Sequence, residues 1–136
     1  MTETNKALYR AFIDGYNSGD LGSLDPLVAE DFAHHNNEVT LTLAQFKRGA
    51  EWVRSGIPDF QLEIVDLIAE GDRVVARMLG TGTHSRSLYG ETPTAARVVL
   101  HVTDVVRVED GRLAEDWETM DELDLRRQLR ALPAGM

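Results

Sequence analysis

Cysteine is absent from the 136 residues, so the chain can build no disulfide, no thiolate nucleophile and no cysteine-based zinc site. Positive charge is scarce as well. Fourteen Lys and Arg stand against 23 Asp and Glu, a net −9, and such a surface repels a phosphate backbone, which removes nucleic acid from the expected partners. Long apolar runs are missing: no stretch approaches the roughly 18 residues of a membrane span. The opening Met1 to Lys6 is polar and has no apolar core of a secretory leader. A soluble, unprocessed, cytoplasmic protein with no membrane partner is expected.

What is present is ordinary for a globular protein, with 43% hydrophobic and 27% charged residues. The length suits a single domain over residues 1–136, and at this size folding buries roughly 65–70% of the unfolded chain's surface. Leu8, Phe12 and Tyr16 recur at i, i+4 and i+8 with Ala7, Ala11 and Ile13 beside them, the stripe of an amphipathic helix from Thr4 to Ser18. A short second helix is expected from Leu21 to Val28, with Pro26 tolerable in its first turn. Phe32 to Val39 reads as a short extended segment. Thr42 is placed to cap a third helix from Leu43 to Ser55.

After Pro58 the period changes to that of strands. Phe60, Leu62, Ile64 and Leu67-Ile68 form one, Val74 to Thr83 the next, Val98 to Val108 a long third and Leu113 to Met120 its antiparallel return. Asp121 with Asp124 opens a last helix through Leu129. Helices first and a strand meander afterwards indicate an α+β fold. No repeat, linker or low-complexity segment interrupts it.

Several segments carry a resemblance in their order and spacing: Tyr16-Asn17-Ser18-Gly19-Asp20, Asp31-Phe32-Ala33-His34-His35-Asn36, Ile57-Pro58-Asp59-Phe60, Leu67-Ile68-Ala69-Glu70-Gly71-Asp72-Arg73-Val74, Gly82-Thr83-His84, and the run from Asp104 to Trp117. Together they span nearly the whole chain, which resembles the SnoaL-like polyketide cyclases, a branch of the superfamily that includes nuclear transport factor two and ketosteroid isomerase. The resemblance implies a cone-shaped α+β barrel, a curved antiparallel sheet packed on N-terminal helices around an apolar cavity. It also implies cofactor-free acid/base chemistry and frequent dimerisation through the sheet. The cyclases close a ring by intramolecular aldol condensation, and the isomerases move a proton beside a carbonyl. Other relatives hydrolyse epoxides, hydroxylate aromatic polyketides or only bind.

The last hairpin decides which acids face the cavity, because side chains alternate faces along a strand. A three-residue loop Glu109-Asp110-Gly111 pairs Val108 with Arg112 and Asp104 with Asp116, so that Asp104, Asp116, Glu118 and Met120 share a face. A two-residue Asp110-Gly111 turn puts Asp104 with Glu115 and Trp117 instead. Comparison with ketosteroid isomerase, whose oxyanion-hole acid falls on Asp104, favours the first. Among Val102, Val105 and Val106 an ionised aspartate is costly, so Asp104 should be protonated, paired or functional. Glu118 falls where the aldol cyclases carry their acid/base aspartate.

Asp104 and Glu118 are therefore the expected catalytic pair, and Phe12, Tyr16, His34, His35, Asn36, Trp52, Asp116 and Met120 the expected substrate-binding set, with Tyr89 as extra lining. No metal is expected, since adjacent histidines on a strand point to opposite faces and one of His34 and His35 is solvated; His84 adds no convergence. No cofactor is expected either. Departures from the family pattern are specific: Phe12 stands where cyclases and isomerases place a helix-one tyrosine, Asp104 where the cyclases have a catalytic histidine, and Asn36 at the isomerases' general base. The expected function is acid/base chemistry of cyclase or isomerase type on a hydrophobic, carbonyl-bearing polyketide-like or aromatic molecule. The rivals are a non-catalytic ligand-binding or dimerisation module, and an epoxide hydrolase or hydroxylase using Asp104 to activate water. A homodimer is expected through the sheet face carrying Trp117, Glu115, His101 and Thr103.

Overall fold

The computed structural model describes residues 1–130; the end of the expected 1–136 domain lies outside the described residues. Helix α1 (Thr2–Ser18) closes at Gly19, which adopts φ 82° and donates its N–H to the Tyr16 carbonyl. Its buried face is Asn5, Tyr9, Phe12, Ile13 and Tyr16. The stripe is thus rotated from the expected one, with Tyr9 inside and Leu8 at the margin. The expected second α-helix is a 3₁₀ helix over Leu21–Leu27. Pro26 sits near its end, where an α-helix would need the missing N–H.

Strand β1 (Val28–Asn36) begins earlier than the sequence indicates and returns through Asn37, at φ 56°, into the short β2 (Val39–Leu41). Helix α2 (Leu43–Gly56) starts with a capping box. Thr42 Oγ1 accepts from the Gln45 N–H at 3.2 Å, and Gln45 Oε1 accepts from the Thr42 N–H at 2.9 Å. Then follow β3 (Gln61–Glu70), β4 (Arg73–Thr83), β5 (Arg97–Glu109), β6 (Arg112–Met120) and α3 (Glu122–Gln128). Asp121 caps α3 by accepting from the Asp124 N–H at 3.1 Å.

The strands form one curved sheet in the order β2-β1-β6-β5-β4-β3, with the helices packed on it. One pairing, β1 with β6, is parallel, so the sheet is mixed and not wholly antiparallel. That pairing lets the first strand, reached before any of the meander, lie beside the last. Where strands outrun their neighbours, side-chain amides complete the ladder: Asn17 bonds both backbone groups of Leu62, and Gln128 both of Val99.

The favoured three-residue loop does not form. Glu109 pairs with Arg112 across a two-residue Asp110-Gly111 turn in which both residues have positive φ, 51° and 73°, the type I′ geometry that matches strand twist. Alone, that turn would put Asp104 opposite an odd-numbered residue. A bulge intervenes: Val108 pairs with Leu113 but Arg107 with Glu115, leaving Ala114 as the extra residue. Leu113 and Ala114 are both buried. The shift puts Asp104 opposite Glu118, and Asp104, Asp116 and Glu118 share the concave face after all.

Candidate active site

The concave face is apolar except at its centre. Val98, Leu100, Val102 and Val106 of β5 alternate inward with Asp104, and Val74, Ala76 and Met78 of β4 lie beside them. Helix α1 closes over this surface with Tyr9, Phe12 and Tyr16, and α2 adds Phe46 and Ala50. Between them lies a cavity of about 260 Å³. His34, Asn36 and Glu118 form its polar wall, and Tyr16, Phe46, Trp52, Tyr89 and Met120 are among its apolar and aromatic walls.

The polar wall follows from the parallel β1–β6 register, which pairs His34 with Asp116 and Asn36 with Glu118. His34 Nδ1 is 2.7 Å from Asp116 Oδ1 in a fully enclosed contact, and His34 Nε2 turns toward Glu118 Oε1 at 3.9 Å. Asn36 Nδ2 donates to the same Glu118 oxygen at 3.4 Å. Behind Asp116 stands Asp104, only 4% exposed, whose Oδ2 accepts from the Tyr9 hydroxyl at 2.9 Å. Phe46 meets the His34 ring edge-on at 4.9 Å. The result is a row of buried polar side chains, Tyr9, Asp104, Asp116, His34 and Glu118, crossing an otherwise hydrophobic interior.

Burial dominates the electrostatics of that row. It holds the Asp104 carboxyl well above the ordinary carboxylate range, with the charge of Asp116 adding to the effect. Asp116 is pushed up to about 7, mainly by burial, although a hydrogen bond from Asp104 pulls the other way. Glu118 is also pushed up to about 7, by burial and then by Asp104, with His34 opposing. Burial raises the Tyr16 phenol to about 12, so it stays an O–H donor. An imidazole fixed by a carboxylate, next to an acid that gains and loses its proton near neutrality, is equipped to take and return protons.

Residues 6–129 match the SnoaL-like polyketide cyclase family. The chain belongs to that family. Among solved structures, this SnoaL-like chain is similar to AclR, a candidate hydroxylase from Streptomyces galilaeus, at 29% identity and TM-score 0.90, covering 100% of this chain and 87% of AclR. TsrD from Streptomyces laurentii is 32% identical with TM-score 0.82, and the match covers 96% of this chain and 97% of TsrD. IdmH, a candidate polyketide cyclase from Streptomyces antibioticus, is 25% identical with TM-score 0.85, over 93% and 98% of the two chains. No curated protein matches the sequence.

Placed on this SnoaL-like fold, the expected site residues separate into three groups. Tyr16, His34, Asn36, Trp52, Glu118 and Met120 reach the cavity, as does Tyr89. Asp104 and Asp116 are inward-facing but lie behind the cavity wall, each 4% exposed, and Phe12 is a core residue between Tyr9 and Phe46. His35 belongs on the other side of the sheet and does not line the cavity. Strand alternation turns it outward, where its ring stacks on Trp117 with centroids 5.4 Å apart and its Nε2 bonds Glu115 at 2.6 Å. His101 and Thr103 also face outward, and His84 is enclosed with Thr94 at the base of the loop between β4 and β5. Among the described residues no group of three or more His, Asp or Glu side chains is arranged to hold a metal, and no helix is long and apolar enough to cross a membrane.

Two members of the site escape sequence reasoning. Tyr9 supplies the helix-one phenol that Phe12 cannot. Its signal was spacing with Asn5, Phe12 and Tyr16, obscured by the equally periodic Leu8. Phe46 carries no polar signature, and only the packing of α2 on β1 brings it to His34.

Proposed function

We propose that the chain is an enzyme of cyclase or isomerase type that moves protons beside a carbonyl of a hydrophobic, polyketide-like or aromatic small molecule, using its own side chains without a cofactor. The observation that carries this reading is the 2.7 Å contact from Asp116 to His34 Nδ1, which leaves Nε2 directed at Glu118 and the cavity. His34 Nε2 takes the proton from carbon next to the substrate carbonyl, and the resulting imidazolium is stabilised by Asp116. The electron pair moves onto the carbonyl oxygen, which accepts a hydrogen bond from protonated Glu118 or the Tyr16 phenol. In an isomerase the proton returns at another carbon. In a cyclase the enolate carbon attacks a second carbonyl of the same molecule, forming the ring bond, and the alkoxide takes a proton from the acid. His34 thus takes the place of Asp104 in the expected catalytic pair, and Glu118 stays in it as the acid.

The apolar walls support a hydrophobic ligand. The water-activating role for Asp104 loses its support, because that carboxyl keeps its proton behind the cavity wall. The proposed assembly is a homodimer through the outer sheet face, where paired residues His35, Trp117, Val105, Val75 and Ile68 form a row across five strands. Ile68 and Trp117 are 63% and 37% exposed there. The cytoplasm is the proposed location.

Deuterium uptake at the α-carbon of 1-tetralone in D₂O, followed by proton NMR, tests the chemistry with a slow-exchanging bicyclic aryl ketone. Wild-type protein should accelerate uptake, and His34→Gln and Glu118→Gln should each lower the acceleration by about 10²–10⁴-fold. Uptake no faster than in buffer, with tetralone saturably bound, would identify a binding module instead.

A further inference from the structure

Tyr9 and Asp104 lie outside the cavity, yet they are tied to the catalytic histidine through buried polar atoms. We propose that they are positioning residues that determine which ring nitrogen of His34 carries its proton; the inference rests on the reading of His34 as the base.

The Tyr9 hydroxyl has a single proton, directed at Asp104 Oδ2 at 2.9 Å, with Met78 Sδ a distant and weak alternative at 3.7 Å. Asp104 Oδ1 is buried and receives no hydrogen bond from any donor among the described residues. The Asp116 carboxyl lies diagonally across on the same buried face of the adjacent strand, and two carboxyl groups can bond only if one holds a proton. With Oδ2 accepting from Tyr9 and the buried Oδ1 otherwise without a partner, we place the Asp104 proton on Oδ1 and direct it at Asp116. Asp116 is then an acceptor toward both neighbours. It must receive the second bond from His34 Nδ1–H, which leaves Nε2 without a proton and facing the cavity. Without the Tyr9 phenol, the Asp104 proton is free to occupy Oδ2. Asp116 would lose a donor, would take up a proton more readily, and could donate to His34 Nδ1. The imidazole proton would then move to Nε2, where the base would be blocked.

In this arrangement Asp104 works as a neutral donor, and a carboxamide reproduces it: Oδ1 of an asparagine accepts from Tyr9 and its Nδ2–H donates to Asp116. The test is the tautomer of His34 in ¹⁵N-histidine-labelled full-length protein, read from ring nitrogen shifts at pH 8.5. Wild type and Asp104→Asn should both show Nδ1–H with unprotonated Nε2. Tyr9→Phe and Asp104→Leu should move a majority of the proton to Nε2. In the tetralone exchange assay Asp104→Asn should stay within about threefold of wild type, where a proton-shuttling aspartate would lose about 10²–10⁴-fold. The proposal is overturned if Asp104→Asn displaces the proton, or if Tyr9→Phe leaves it in place. Tyr9→Phe removes a single oxygen, so it decides the matter even if Asp104→Leu does not fold. A wild-type protein with the Nδ1–H tautomer and no exchange activity would sink the enzymatic reading and leave the positioning chain standing.

Discussion

Replacing Glu118 by Gln should stabilise the protein in alkaline solution while impairing its chemistry. In the unfolded chain this carboxyl ionises near its ordinary value of 4.5, whereas in the fold it keeps its proton up to about 7. Between those values the native state binds more protons than the unfolded state. Stability from this group is therefore full below about pH 4.5 and falls as pH rises toward 7. At about 1.4 kcal/mol per pKa unit, the interval from 4.5 to about 7 corresponds to roughly 3 kcal/mol at most. Glu118 retains 16% side-chain exposure to the cavity, and solvent there reduces the penalty, so a gain of about 1–2 kcal/mol is expected for the glutamine. At pH 4.5 the gain should shrink toward zero, since glutamine and protonated glutamate have the same shape and both accept the bond from Asn36. Urea unfolding of both proteins at pH 4.5 and pH 8.5 measures the difference directly. A variant less stable than wild type at pH 8.5, or equally shifted at both pH values, would refute the account of Glu118 as a carboxyl held against its preference to ionise.

Two further outcomes follow from particular contacts. Gly82 of β4 lies against the loop before β3, where an added Cβ would collide with Ile57 Cγ2 and sit 3.2 Å from Phe60 Cα. Ile57 is fully enclosed, so Gly82→Ala should destabilise by about 1–3 kcal/mol through overpacking, measurable as a lower urea midpoint with an unchanged slope. On the outer face, Trp117→Glu places a charge in the cross-strand row between His35 and Val105 and should convert a dimer to a monomer in sedimentation velocity at micromolar concentration. A wild-type species of 15.2 kDa at high micromolar concentration would remove the dimer.

The sequence by itself determined most of the elements and the family. Helix α1 with its glycine stop, the Thr42 cap and the alternating strands are signalled within a few residues, because helix periodicity, capping and pleating are local properties of the backbone. The ordered segments from Tyr16 to Trp117 were enough for the family and for the cone-shaped fold. Local signals also identified Asp104 as an acid in an apolar strand. They could not determine its partner. Tyr9 and Asp104 are 95 residues apart, and His34 and Asp116 are 82 apart, so both contacts depend on long-range packing and on the parallel β1–β6 pairing. Likewise, no local pattern distinguished His34 from His35, since either can face inward until the strand has a neighbour. The Ala114 bulge is the sharpest case. The sequence favours a three-residue loop over the two-residue Asp110-Gly111 turn that forms, and in the fold one extra residue three positions beyond Gly111 inverts every face that follows. Placing Leu113 and Ala114 both inside is a decision of tertiary packing, and it is what brings Asp116 and Glu118 to the concave side.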